Sequence, residues 1–165
     1  VSRGVKAFSV GAAQCFIAEN GRIAGFFEEP VCRMVDMGFT PVFHGDVVLD
    51  RRRGFSIVSG DQIACFLGCR FDADFIVFGV DVDGVFEPSS SRLLRRIRVD
   101  ELEGVLKGVG GSKGVDVTGG MAGKLREVVR AVRMGVPVFF VNILVPGRLL
   151  RLLRGEEVVC THVIP

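Results

Sequence analysis

Short, unbroken apolar runs that alternate with helix-periodic stretches constrain this chain more than any other feature. Phe75-Ile76-Val77-Phe78 and Val138-Phe139-Phe140-Val141 contain no polar residue. A strand with one wet face alternates apolar and polar side chains, so runs like these imply strands covered on both faces. Similar patterns predict strands over residues 7–10, 41–44, 47–49, 55–58, 75–79, 136–141 and 158–162. Helices fit between them. Residues 30–37 open with a proline and stop at Gly38. Residues 61–69 start on an acidic side chain that suits a helix dipole. Asp100-Glu101-Leu102-Glu103 has the form of a capping box ahead of Val105 and Leu106. Over 121–134, Leu125, Val128, Val129 and Val132 make one apolar stripe before Gly135. Residues 146–154 predict a further short helix, with Arg148, Arg151 and Arg154 on its outer side. This alternation predicts an α/β fold with a mostly parallel sheet.

With 165 residues, one domain over 1–165 is expected, large enough to bury its own core. Basic and acidic residues number 21 and 19, a net charge of +2, too balanced to favour nucleic acid. Arg51-Arg52-Arg53 reads as a solvated turn, and the arginines of 92–98 as the outer face of an element lying on a core. No stretch approaches the roughly 18 uninterrupted apolar residues of a membrane span. The first residues lack the apolar run of a signal peptide. A cytoplasmic protein without a membrane partner is the expectation. Cys15, Cys32, Cys65, Cys69 and Cys160 are odd in number and form no Cys-x-x-Cys pair. That speaks against a disulfide framework and against a zinc site. His44 and His162 each end a β-like run with no partner placed by sequence, which fits structural roles.

Three glycine-containing motifs fall at strand-to-helix junctions, where α/β sheets keep their ligands. Ser59-Gly60-Asp61 fits a ligand approaching the backbone at Gly60, and equally a plain helix cap. Asp81-Val82-Asp83-Gly84 follows the most buried-looking strand. It lacks the further ligands of a calcium loop at their spacing, and it fits either a tight turn or a loop around ribose or phosphate-bound magnesium. Thr118-Gly119-Gly120-Met121-Ala122-Gly123-Lys124 opens a strong helix, whose positive end and free N–H groups favour an anion. Lys124, one turn in, adds a point charge. The chain has four lysines against seventeen arginines, so a lysine at this place is pointed. Leu125 after it rules out a P-loop. A phosphate site is therefore expected over 119–124.

These motifs, in this order, resemble the isopentenyl phosphate kinases of the amino acid kinase superfamily. The resemblance is carried by residues 40–50, by Gly54-Phe55-Ser56-Ile57-Val58-Ser59-Gly60-Asp61, by 80–86, by 116–124 and by Pro146-Gly147, and it covers nearly the whole chain. It implies a three-layer αβα sandwich. It also implies transfer of the γ-phosphate of ATP to isopentenyl phosphate, with Mg2+ carried by the phosphates and no metal site in the protein. By position, Lys124 matches the lysine that contacts the ATP phosphates, and Asp61 the aspartate that organises catalytic lysines in N-acetylglutamate kinases. Ser59 and Gly60 fall where the substrate phosphate is held. Asp81, Gly119 and Gly120 fall at nucleotide contacts, with Asp83 and Gly84 beside them. A homodimer is the family expectation. A sibling kinase with a phosphonate or carboxylate acceptor, or a nucleotide-binding subunit without activity, fits the same motifs.

The family also opens with a strand carrying Lys-x-Gly-Gly-Ser, followed by a glycine-rich segment ending in a histidine that grips the substrate phosphate. Neither occurs here, and residues 1–15 enter the family pattern midway. The resemblance thus implies an N-terminally incomplete fold carrying one side of an active site. Weak or no kinase activity is expected of this polypeptide alone.

Overall fold

The computed structural model describes residues 4–87, 89–109 and 120–165, with backbone only at 107–109 and 120. Thr118 and Gly119, at the start of the expected phosphate motif, lie outside the described residues. The chain divides into two compact units, residues 1–64 and 65–165.

In the first unit, β1 (Ala7–Val10) pairs in parallel with β4 (Thr40–Phe43). A second sheet has the order β3-β2-β5-β6, from β2 (Phe16–Glu19), β3 (Arg22–Phe26), β5 (Asp46–Asp50) and β6 (Gly54–Val58). The sequence patterns predict no element over residues 12–26, yet α1 (Ala12–Cys15) and the β2–β3 hairpin lie there. The hairpin turns at Asn20-Gly21, both with positive φ, 52° and 82°. This is the two-residue turn whose twist matches that of its strands, and Asn-Gly is its strongest signal. Helix α2 (Glu29–Asp36) carries its proline in the first turn and ends before Gly38 at φ 75°.

Phe16 anchors the core of this unit. Its ring is 1% exposed, stacks on Phe26 at 4.9 Å and touches Phe43 at 5.6 Å. Antiparallel register puts Val47 opposite Ile57 and Leu49 opposite Phe55, and all four side chains are exposed. Val48 and Val58, on the other face, are buried. Period-two alternation therefore sorts these strands, with apolar residues on both sides.

Helix α3 (Gly60–Arg70) carries the boundary between the units. In the second unit, β7 (Ile76–Val80), β8 (Arg96–Arg98), β9 (Val138–Asn142) and β10 (Cys160–Ile164) form a sheet of order β7-β9-β10-β8. β7 and β9 run parallel, as do β8 and β10, while β9 and β10 are antiparallel. Four of the seven strand pairings in the described residues are parallel. The α/β class expected from the sequence is the one observed.

Helix α5 (Gly120–Arg133) buries Leu125, Val128 and Val132 of the predicted stripe completely, while Val129, at its margin, is half-buried. Phe78 and Phe140 stack at 5.4 Å beneath it. β8 falls within the arginine-rich 92–98 segment, where Ile97 is 1% exposed between two exposed arginines. At α4 (Leu102–Val109) the capping differs from expectation. Glu101 Oε2 accepts the Arg98 N–H at 2.8 Å, while Glu103 pairs with Arg133 at 3.0 Å. The reciprocal bond forms two residues early because the chain leaves β8 directly into the turn. Helix α6 (Arg148–Leu153) follows Pro146-Gly147. Among the described residues no helix is long and apolar enough to cross a membrane, and all five cysteines are free.

Candidate nucleotide and phosphate site

Two groups of the residues singled out by sequence take shape, one in each unit. In the first unit, Ser59 Oγ accepts the Gln62 N–H at 3.1 Å, which satisfies an orphan donor at the start of α3. The cap is real, and it places Gly60 and Asp61 in the first helical turn. Gly45 explains the local packing. A Cβ on Gly45 would lie 3.1 Å from Gly60 N and 3.1 Å from Val58 O, so the 44–46 loop lies backbone to backbone against Ser59-Gly60.

The next residue of α3, Gln62, is buried and ties the helix to the hairpin. Its Oε1 accepts the Ile23 N–H at 2.8 Å, and its Nε2 donates to the Gly21 carbonyl at 3.3 Å. Sequence reasoning missed Gln62, because its partners are about 40 residues upstream. Asp50 was missed too. Its carboxylate is 5% exposed and accepts backbone N–H bonds from Asn20, Gly21, Arg52 and Arg53, plus the Ser56 hydroxyl at 2.6 Å. Burial pulls its pKa up, but the bonds from Ser56 and the backbone donors outweigh that and hold it far below the usual carboxylate range.

In the second unit, β7 ends at Val80 and releases the turn Asp81-Val82-Asp83-Gly84. The Ile143 N–H donates to Val80 O at 3.0 Å, so the strand end is pinned from β9. Gly84 has φ 145°, and a Cβ there would meet Thr161 Oγ1 at 2.4 Å. Only glycine fits. The adjacent Val85 N–H donates to the same Thr161 oxygen at 2.8 Å. Asp83 pairs with Arg148 and accepts from Asn142 Nδ2 at 3.3 Å. The hydrogen bond from Arg148 lowers its pKa most, burial opposes this, and Asn142 and the Arg148 charge add to the lowering. Asp81 is exposed, and its carboxylate makes no hydrogen bond among the described residues.

Lys124 sits in the second turn of α5, half-buried. Its Nζ lies 5.7 Å from the centre of the Phe78 ring, within cation–π range. The lysine is therefore held against β7, the strand whose end carries Asp81. Gly120 is the first residue of the same helix. Thus Asp81, Asp83, Gly84, Gly120 and Lys124 belong to one strand–helix pair of the second unit. Ser59, Gly60 and Asp61 belong to the first.

The histidines stand apart from both groups. His44 Nδ1 lies 3.0 Å from Gly45 O. His162 stacks on Phe139 at 4.1 Å, and its pKa is lowered, first by burial and then by the Arg96 charge. Among the described residues no three His, Cys, Asp or Glu side chains converge on a metal position.

The model of the amino acid kinase family matches residues 1–142. An isopentenyl phosphate kinase of Methanothermobacter thermautotrophicus is 36% identical over 99% of this chain and 63% of its own length. One from Methanocaldococcus jannaschii is 36% identical over 61% of this chain and 38% of its own. A solved isopentenyl phosphate kinase superposes with a TM-score of 0.81 at 33% identity, over 98% of this chain and 61% of that one. The chain thus spans less than two thirds of the length of these relatives.

Proposed function

This chain belongs to the amino acid kinase family, and on that premise we propose that it carries the nucleotide side of an ATP-dependent kinase whose acceptor is isopentenyl phosphate and whose product is isopentenyl diphosphate. The observation that carries the reading is the placement of Lys124, fixed by α5 and the Phe78 ring against the strand that ends in Asp81. Phosphoryl transfer needs little covalent help from a protein. It needs the donor and acceptor oxygens in line and the negative charge of the moving group neutralised. A half-buried ammonium held over an aromatic face has little freedom to lose when phosphate arrives. The N-terminal N–H groups of α5 add a partial positive charge to the same end.

In this reading Lys124 neutralises the phosphates, and Asp81, Gly119 and Gly120 contact the nucleotide, with the Asp83-Gly84 turn beside them. Ser59 and Gly60 hold the acceptor phosphate through backbone N–H groups, and Asp61 orients the cationic groups around it. Magnesium is part of the substrate, Mg-ATP. A homodimer in the cytoplasm is the expected setting. Isopentenyl phosphate is the acceptor of kinases that this chain resembles over nearly its whole length.

Calorimetry with Mg-ATP tests the carrying observation. Losing a charged contact to phosphate is worth about 1.5–3 kcal/mol, so Lys124→Ala is expected to weaken affinity roughly tenfold to a hundredfold. Unchanged affinity with an unchanged melting temperature would remove Lys124 from the site. ADP release with isopentenyl phosphate as acceptor, compared with acetylglutamate, tests the acceptor. Turnover of acetylglutamate alone would reassign it.

A further inference from the structure

We infer that Asn142 and Arg148 are positioning residues for nucleotide binding, which hold the Asp81–Gly84 turn in shape through Asp83 and leave Asp81 as the carboxylate that faces the ligand. The inference rests on the reading of this turn as a nucleotide contact, and it divides the labour between two aspartates that the sequence cannot tell apart.

Asn142 is the last residue of β9 and the register partner of Val80, the last residue of β7. Its side chain therefore stands abreast of the point where the turn leaves the sheet. Its Nδ2 donates to Asp81 O and to Asp83 Oδ1, both at 3.3 Å, and its Oδ1 accepts the Leu144 N–H at 3.0 Å. The amide has one orientation only. Flipped, its oxygen would face a carbonyl and a carboxylate, and its NH2 would face an N–H.

Arg148 opens α6 directly after Gly147, whose φ of 77° turns the chain into the helix. Its side chain is 14% exposed and its guanidinium pairs with Asp83. The Asp83 carboxylate is thereby spent inside the protein. Two partners far along the chain converge on it, and neither reaches the Asp81 carboxylate. A loop that must present one carboxylate and its backbone to a ribose or phosphate is pre-shaped by such a clamp, so less ordering is needed on binding.

The experiment is calorimetry with Mg-ATP on the chain and its variants, with melting temperature as a parallel readout. Arg148→Ala and Asn142→Asp are each expected to weaken affinity about tenfold, the scale of couplings within one hydrogen-bond network. Arg148→Lys, which keeps the charge, is expected to recover most of that loss. The decisive arm is the pair Asp83→Asn and Asp83→Asn/Arg148→Ala. If Arg148 acts through Asp83, the double variant binds no more weakly than the single one. Additive losses, or an affinity for Arg148→Ala and Asn142→Asp unchanged from the parent, would overturn the inference. Asn142→Asp preserves shape and so carries the test if Arg148→Ala does not fold. No binding by the parent chain overturns this inference together with the nucleotide reading. Binding by the parent that is insensitive to Lys124→Ala but lost on Arg148→Ala removes the lysine and keeps the clamp.

Discussion

Two aspartates at two corners of the molecule show how differently a carboxylate can be held. Asp50 closes the corner of the β2–β3 and β5–β6 hairpins, where four backbone N–H groups and one hydroxyl point at it. Asp83 stands at the end of β7, where an arginine and an asparagine on other elements reach it. Both are acidified, Asp50 mainly by neutral dipoles and Asp83 first by the Arg148 hydrogen bond. The backbone donors to Asp50 belong to the turns themselves and the hydroxyl to β6, so that corner is a folding element. The donors to Asp83 come from other elements and can be lost without unmaking a strand, so that corner sets the shape of a turn.

Removing the Asp50 carboxylate should break the comparison most visibly. Asp50→Ala leaves four N–H groups near the hairpin turns without their acceptor, and buried donors without acceptors are costly. It is expected to give the lowest melting temperature of the substitutions proposed here, with Asp50→Asn between it and the parent. A melting curve for Asp50→Ala superimposable on that of the parent would show that the turns hold themselves.

Gly84→Ala comes next. It puts a Cβ against Thr161 and forces φ 145° on an alanine, so a loss of more than about 1 kcal/mol in denaturant unfolding is expected. Equal stability would mean that the Asp83 corner relaxes more easily than its contacts imply.

The smallest effect is the most diagnostic. Both carboxylates have depressed folded-state pKa values, so their stabilisation is complete above the usual carboxylate pKa of about 4. It is lost as pH falls through each folded value. The Asp83 side chain is 43% exposed, and its ion pair should be screened by salt. An NMR titration is expected to show the Asp83 pKa rising toward normal in 1 M salt while that of Asp50 stays low. Parallel movement of the two would erase the distinction drawn between them.

Much of the fold was legible in the chain. The unbroken run at 75–78 is where β7 lies, and the stripe of Leu125, Val128 and Val132 faces the core as its period requires. The β2–β3 hairpin was missed, although Asn20-Gly21 was the local signal that could have found it. The candidate site was legible only in pieces. Ser59-Gly60-Asp61, the Asp81–Gly84 turn and Lys124 announce themselves by glycine and charge at strand–helix junctions. Gln62, Asn142 and Arg148 do not, since each looks like an ordinary polar residue until its distant partner is known.

What the sequence determined by itself is what depends on neighbours along the chain: most strands and helices, the apolar stripe of α5, and membership of a kinase family. Tertiary structure alone decided which aspartate of the turn is paired within the protein and which is left exposed. That depends on β9 lying beside β7 with Asn142 opposite Val80, and on α6 bringing Arg148 to Asp83 across 65 residues of chain. Local preferences are settled within a few bonds. Which side chains meet across a sheet is settled only when the strands choose their neighbours.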